Sequence, residues 1–312
     1  MTMLSRVADR LYWKARYLER AEDTARLVSS YHLLIMDIPS GAELGWDVLL
    51  RILDAEPWFY SRYRVANEAN IVKFLVADTD NPSSVAASVR SARENVRTTR
   101  DVLPEETWEQ VNELHLFVKE AADKSVGRRN RQAFLDEVVS RCQMINGMLQ
   151  TTLSRDHAYR FTRLGHLLER SDMTTRVVDV GVMELMERDS RFAAIDPLVW
   201  SSLLQSLSGL GAYRRMVGPL LDGASVAEFV LKEADHPRSV AFCLRGIRES
   251  LRPLSNNEAA MRQLERARRK LGRFHADTMS PDDIHRYIDD FQGLINQLHD
   301  TISDTWFQPE AR

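Results

Sequence analysis

An all-α fold is predicted by three features of the chain. Long stretches without glycine or proline carry apolar residues at three- and four-residue steps. No stretch sustains the alternation of a β-strand. One charged, helix-like string occurs twice, as YLERAEDTAR at 17–26 and LLERSDMTTR at 167–176. The elements follow in order. Residues 4–36 lack Gly and Pro and end at IPSG, with Leu4, Val7, Leu11, Ala15, Leu18, Ala25 and Ser29 along one stripe. Residues 44–77 predict two helices broken at Pro57. In the NPSS turn, Ser83 or Ser84 can cap a helix running to about residue 101. PEETW starts the next, with Pro104 and two acids in the first turn, where the helix dipole is positive. That helix ends near 123, KSVGRRNR reads as a basic loop, and 131–154 form a last helix. The remainder repeats this order, with breaks near Pro197, Pro219, Pro237, Pro253 and Ser280-Pro281.

The repetition extends over four blocks. Arg20 aligns with Arg170 at an offset of 150, and WDVLLRIL from Trp46 aligns with WSSLLQSL from Trp200 at 154. DNPSSVAASVRSARENVR from Asp80 aligns with DHPRSVAFCLRGIRESLR from Asp235 at 155, and Ile145, Asn146 and Thr151 align with Ile295, Asn296 and Thr301 at 150. Four blocks in one order imply a tandem duplication, with repeats at 1–154 and 155–312 that pack as one domain or as two. The expected architecture is a bundle of long antiparallel helices with a pseudo-twofold relation between the halves.

Composition excludes several classes. Forty-two Lys plus Arg against 45 Asp plus Glu leave a formal charge of −3, so no bulk attraction to nucleic acid or anionic membrane is expected. No window has the roughly 18 apolar residues of a membrane span, and the charged N-terminus does not read as a signal peptide. Cys142 and Cys243 lie in helical segments and read as small buried side chains in a reducing compartment, so a cytoplasmic location is expected. There is no glycine-rich phosphate loop, G-x-S-x-G, H-E-x-x-H or C-x-x-C.

The repeated string carries the candidate site. At 100° per residue, Glu22 falls within the apolar stripe and Glu19 and Arg26 at its edge; Asp172, Glu169 and Arg176 repeat this, and Asp179 joins the stripe. Buried charge is costly unless paired, so two readings arise. One is a polar pocket between the repeats, with Glu19, Glu22, Glu169 and Asp172 as candidate catalytic acids or bases. The other is an internal ion-pair ladder that fixes helix register. Arg20 and Arg170 point off the stripe, toward an acid on a neighbouring helix or toward water. Arg90, Arg93 and Arg97 match Arg245, Arg248 and Arg252. Such arginines can grip a carboxylate or phosphate, face solvent, or pair with the acids of the first helix, and the last is the reading preferred. Candidate substrate-binding residues are therefore Arg20, Arg26, Arg170, Arg176, Arg93 and Arg248. His166, Glu169 and Asp172 step by three like metal ligands, but Arg16 stands at the position matching His166, and a guanidinium does not ligate; no metal is expected. Asp235-His236 could form a dyad, although Asp80-Asn81 at the matching place favours a turn. The basic cluster Arg262–Arg273, including Arg266, Arg268, Arg269 and Lys270, reads as an exposed helix face.

MLSRVADRLYWKARYLERAEDTARL resembles the opening of the bacterial alpha-E domain family, all-helical proteins with a recurrent Glu-Arg motif. FTRLGHLLERSDMTTRVVDV and the HPRSV block resemble that family's later signatures. The motif falls here on Glu19-Arg20 and Glu169-Arg170, and Lys14 departs from the apolar residue expected there. The resemblance implies association with an ATP-grasp ligase-like protein and with transglutaminase-like proteases, hence work on amide bonds of peptides. Three functions follow as expectations. The chain is a component of an amide-ligating or peptide-modifying system, in which a partner uses ATP, this chain binds no cofactor, and the substrate is a peptide or amino acid. Alternatively it is a non-catalytic helical adaptor for the ATP-grasp enzyme, or a carboxylate-bridged metal protein.

Overall fold

The first helix, α1, spans Ser5–Asp37, and everything else is arranged around it and its long counterpart α8, His157–Met186. In this computed structural model, residues 3–39, 44–186 and 195–308 are described. Of the IPSG stop, Ser40 and Gly41 lie outside the described residues. α1 packs most extensively on α8, and also on α5 (Val85–Arg97) and α7 (Arg128–Thr152). α8 in turn gathers α12 (Val240–Leu251) and α14 (Pro281–Ile302). α6 (Glu105–Ala121) bridges α5 and α7, and α13 (Glu258–Leu271) bridges α12 and α14. The described residues contain helices and turns and no strand, as the periodicity predicts.

Local signals set most boundaries. Ser84 Oγ accepts from Ala87 N at 3.0 Å and Ser239 Oγ from Phe242 N at 3.1 Å, so the matched serines cap α5 and α12. Ser280 and Asp283 close a capping box on α14, with Pro281 in its first turn. α5 stops at Arg97, short of the expected 101, because the Thr98 and Thr99 hydroxyls bond back to the carbonyls of Glu94 and Asn95.

Three expectations need correction. Residues 44–77 do not form two helices split at Pro57. They form α2 (Val48–Ile52), α3 (Glu56–Tyr60), α4 (Glu68–Val72) and a π-turn at Lys73–Ala77. Pro57 sits in the first turn of α3, where its missing N–H costs nothing, and the break falls instead at Asp54, whose φ is +51°. KSVGRRNR is not a loop: a 3₁₀ turn covers Asp123–Val126 and α7 begins at Arg128. Within it Arg131 is only 1% exposed, bonds Glu68 Oε1 at 2.7 Å and lies 5.4 Å over the Trp46 ring. Leu4 precedes α1 and is exposed, whereas Leu11, Ala15, Leu18 and Ala25 are fully buried.

α1 and α8 meet closely at Gly165. A Cβ there would lie 2.2 Å from the Tyr12 carbonyl oxygen and 3.0 Å from the Ala15 Cβ. Both helices would have to separate to admit it, since the obstacle is backbone. Gly165→Ala is therefore expected to destabilise by roughly 1–3 kcal/mol, although alanine is the better helix former. A melting temperature at or above the parent's would contradict this contact.

Between α8 and α12 the chain continues through α9 (Asp196–Ser206), α10 (Leu210–Met216) and α11 (Gly223–Lys232). No helix among the described residues is long and apolar enough to cross a membrane. Cys142 and Cys243 are both buried and unbridged.

Candidate functional site

The two Glu-Arg strings face each other across the α1–α8 contact and exchange partners. Consecutive helical residues are rotated by 100°, so each Glu points into the interface while the next Arg lies at its rim and reaches over the facing helix. Arg170 Nε donates to Glu19 Oε1 at 2.6 Å, and Arg20 Nε donates to Glu169 Oε1 at 2.5 Å. One turn earlier the pattern recurs with Arg16 and His166. Arg16 Nε meets Glu169 Oε2 at 2.6 Å and His166 Nδ1 meets Glu19 Oε2 at 3.2 Å. Further along, Arg26 holds Glu22 at 2.9 Å and donates to Ser208 Oγ at 2.8 Å. Its match Arg176 holds Asp172 at 3.0 Å and lies 3.9 Å from Asp54. Asp54 and Ser208 occupy matched places, each with a left-handed backbone (φ +51° and +53°).

One arginine has no match. Arg238, from HPRSV, bonds Glu22 Oε1 at 2.7 Å, lies 3.2 Å from Glu19 Oε1 and bonds Asp23. At the aligned positions the first block has Ser83 and the α8 string has Met173, so the extra arginine and the extra acid occur together. The sequence marks Arg16 only as a non-ligand opposite His166, and it does not mark Asp23 or Arg238. The signal for the last two was the mismatch between the repeats, a charge in one opposite a neutral residue in the other.

The surroundings fix the protonation states. Burial would raise Glu19, but the Arg170 and Arg238 charges outweigh it and hold the carboxylate well below its ordinary range. Burial likewise opposes ionisation of Glu169, yet Arg16 and Arg20 bring it to about 2. Asp23 goes the other way, raised by burial and by the adjacent Glu19 and Glu22 against the pull of Arg238; its Oδ2 has no hydrogen-bond partner. A strongly acidic carboxylate with both oxygens engaged is a poor proton acceptor, and a guanidinium in a buried pair is a poor anion receptor. Chemically this cluster does what a lock does.

Arg20 and Arg170 thus take the neighbouring-acid course and do not face water. Arg93 and Arg248 are not brought to the cluster, contrary to the preferred expectation. Arg93 donates to Asn112 and Glu94 and lies 5.0 Å over Trp108, and Arg248 pairs with Glu265 at 3.3 Å. The reason is helical phase: Val85, Val89, Ala92 and Val96 take the buried face of α5 and leave its arginines outside. The Asp235-His236 dyad does not form either. His236 is buried in a stack on Phe229 at 5.2 Å, Asp235 is exposed, and Asn81 holds its turn through Phe74 O and Ser83 N.

Metal ligation finds no set on the repeated string, since His166 turns to Glu19 and not to Glu169. Asp179, His285 and Asp289 do cluster. There His285 Nδ1 lies 2.7 Å from Asp179 Oδ1 and Nε2 3.6 Å from Asp289 Oδ2, and one ligand atom of each residue falls within 4.8 Å of the others. Lys14, the departure from the expected apolar residue, is fully buried; its Nζ meets Thr162 Oγ1 at 3.3 Å, and desolvation lowers it to about 7.

A family model described as "a predicted alpha-helical domain with a conserved ER motif" matches residues 3–307. The chain belongs to the Alpha-E family. In this Alpha-E chain the Glu-Arg pairs at 19–20 and 169–170 bind each other. Similar proteins include uncharacterised proteins of Mycobacterium bovis and of Mycobacterium tuberculosis (strains CDC 1551 and H37Rv), each 22% identical over 324 residues. The alignment covers 96% of the Alpha-E chain but 36% of each relative, so the chain spans about a third of their length. No solved structure matches.

Proposed function

We propose that this Alpha-E chain is a non-catalytic helical component of an amide-bond-forming or peptide-modifying system, which docks a carboxylate-activating partner of the ATP-grasp type. The observation that carries the first part is the mutual saturation of Glu19 and Glu169 by Arg170, Arg238, Arg16 and Arg20. Neither carboxylate is left to serve as a base for an incoming amine, and the arginines that would hold an acyl phosphate are engaged. The partner class comes from the family resemblance. The Mycobacterium relatives extend well beyond the matched region, an arrangement suited to a module that works beside other domains.

The test separates adaptor from enzyme. Tagged chain, expressed in its source cells, should co-purify with an ATP-grasp protein. Any amide product of that pair should form at parental rate per folded molecule when Glu169→Gln is assayed below its melting temperature. Lost turnover with an unchanged melting temperature would instead assign Glu169 to catalysis.

A further inference from the structure

Beside the lock lies a cleft of about 360 Å³ between α7, α8 and α12, a volume within the range of small-molecule sites. Leu149, Leu153 and Phe242 supply apolar wall. Its polar groups are incompletely used. Thr162 is only 4% exposed and its oxygen accepts from Lys14, which directs the hydroxyl proton elsewhere, with no acceptor among the described residues. Arg163 commits Nη2 to Glu249 at 2.8 Å, leaving its other guanidinium donors free among the described residues. His166 points Nδ1 at Glu19, an acceptor, so that nitrogen carries the proton and Nε2 on the far edge of the ring is a bare acceptor. Burial, the largest influence on His166, favours this neutral form.

Two donors and one acceptor beside an apolar wall define a ligand. It must present a carboxylate to Arg163 and Thr162, an N–H group to His166, and an apolar side chain to Leu149 and Phe242. We propose that this cleft binds the carboxylate end of an apolar α-amino acid, either free or as the last residue of a peptide. The inference needs this chain alone and stands whether or not the adaptor reading holds.

Titration calorimetry of the full chain with L-leucine and with the tripeptide Ala-Ala-Leu tests it, using the corresponding C-terminal amides as controls. One saturable site is expected for at least one free acid, with affinity reduced about tenfold or more by amidation and by Arg163→Gln. Gly147→Phe provides a steric block on the cleft wall, where a Cβ meets nothing within 4 Å. Saturation by leucine alone assigns the free amino acid; saturation by the tripeptide assigns a peptide end. The proposal is overturned if neither acid binds at roughly 10 mM, or if Arg163→Gln and Gly147→Phe chains with parental melting curves bind as the parent does.

Discussion

Glu19→Gln is expected to lower the melting temperature more than any other single neutralisation in the α1–α8 contact. The amide would leave Arg170 buried with no carboxylate to meet it and would take one of three acids from Arg238, which keeps Glu22 and Asp23. Removing one partner of a buried ion pair typically costs about 3–5 kcal/mol, because the remaining charge stays desolvated. For a chain of this size that is a fall of roughly 5–8 °C. Acid should reveal the same interaction. A carboxyl whose folded pKa is depressed contributes stability that is full above its unfolded pKa and is lost as pH falls through the folded one. Glu19 lies well below its ordinary range and Glu169 at about 2, so the parent should lose stability from the ordinary glutamate range downward toward pH 2. Asp23, raised in the fold, has the opposite sign, and its contribution is lost as pH rises. The difference between parent and Glu19→Gln isolates the Glu19 part. That difference should shrink with acidification, and one that stays constant from pH 7 to about pH 2 would contradict the pairing.

Lys14→Leu should stabilise the protein. The ammonium has one hydrogen bond, at 3.3 Å to Thr162, and desolvation lowers its pKa. Leu164, fully buried, occupies the aligned place on α8, so a leucine suits this interface. A lysine lowered to about 7 in the fold and ordinary when unfolded binds fewer protons in the native state. Native stability therefore rises with pH between those values, and the penalty is greatest at or below pH 7. A gain of roughly 3–5 kcal/mol at pH 7 is the upper range, less about 1 kcal/mol for the Thr162 bond. Melting curves from pH 6 to 10 should converge as the pH rises. A variant less stable than the parent at pH 7 would mean that the amine has a partner that compensates its burial.

The long helices were legible because apolar spacing and turn residues act locally: α1, the serine caps of α5 and α12 and the proline-marked starts of α9 and α14 all follow from near neighbours. The segment 44–77 was not, since its breaks depend on a left-handed Asp54 and a π-turn that leave no periodic trace. Burial of Arg131 was hidden for another reason: its acid, Glu68, lies 63 residues away. In the site, helical phase placed Glu19, Glu22, Glu169 and Asp172 on the buried side. It could not give the partners. Arg20 and Arg170 looked outward on a single helix and become interfacial only when the second helix arrives. Repetition of both blocks groups Arg93 and Arg248 with the acids, but co-occurrence in sequence is not proximity.

A double-mutant cycle on Glu19 and Arg170, followed by thermal unfolding, tests most directly whether the Glu-Arg pairs lock α1 to α8. Glu19→Gln, Arg170→Met and their combination should couple by about 1.5 kcal/mol or more, toward the upper end of the range for residues in contact. Additive losses, within about 0.5 kcal/mol, would mean that the two strings do not bind each other, and the lock would have to be abandoned.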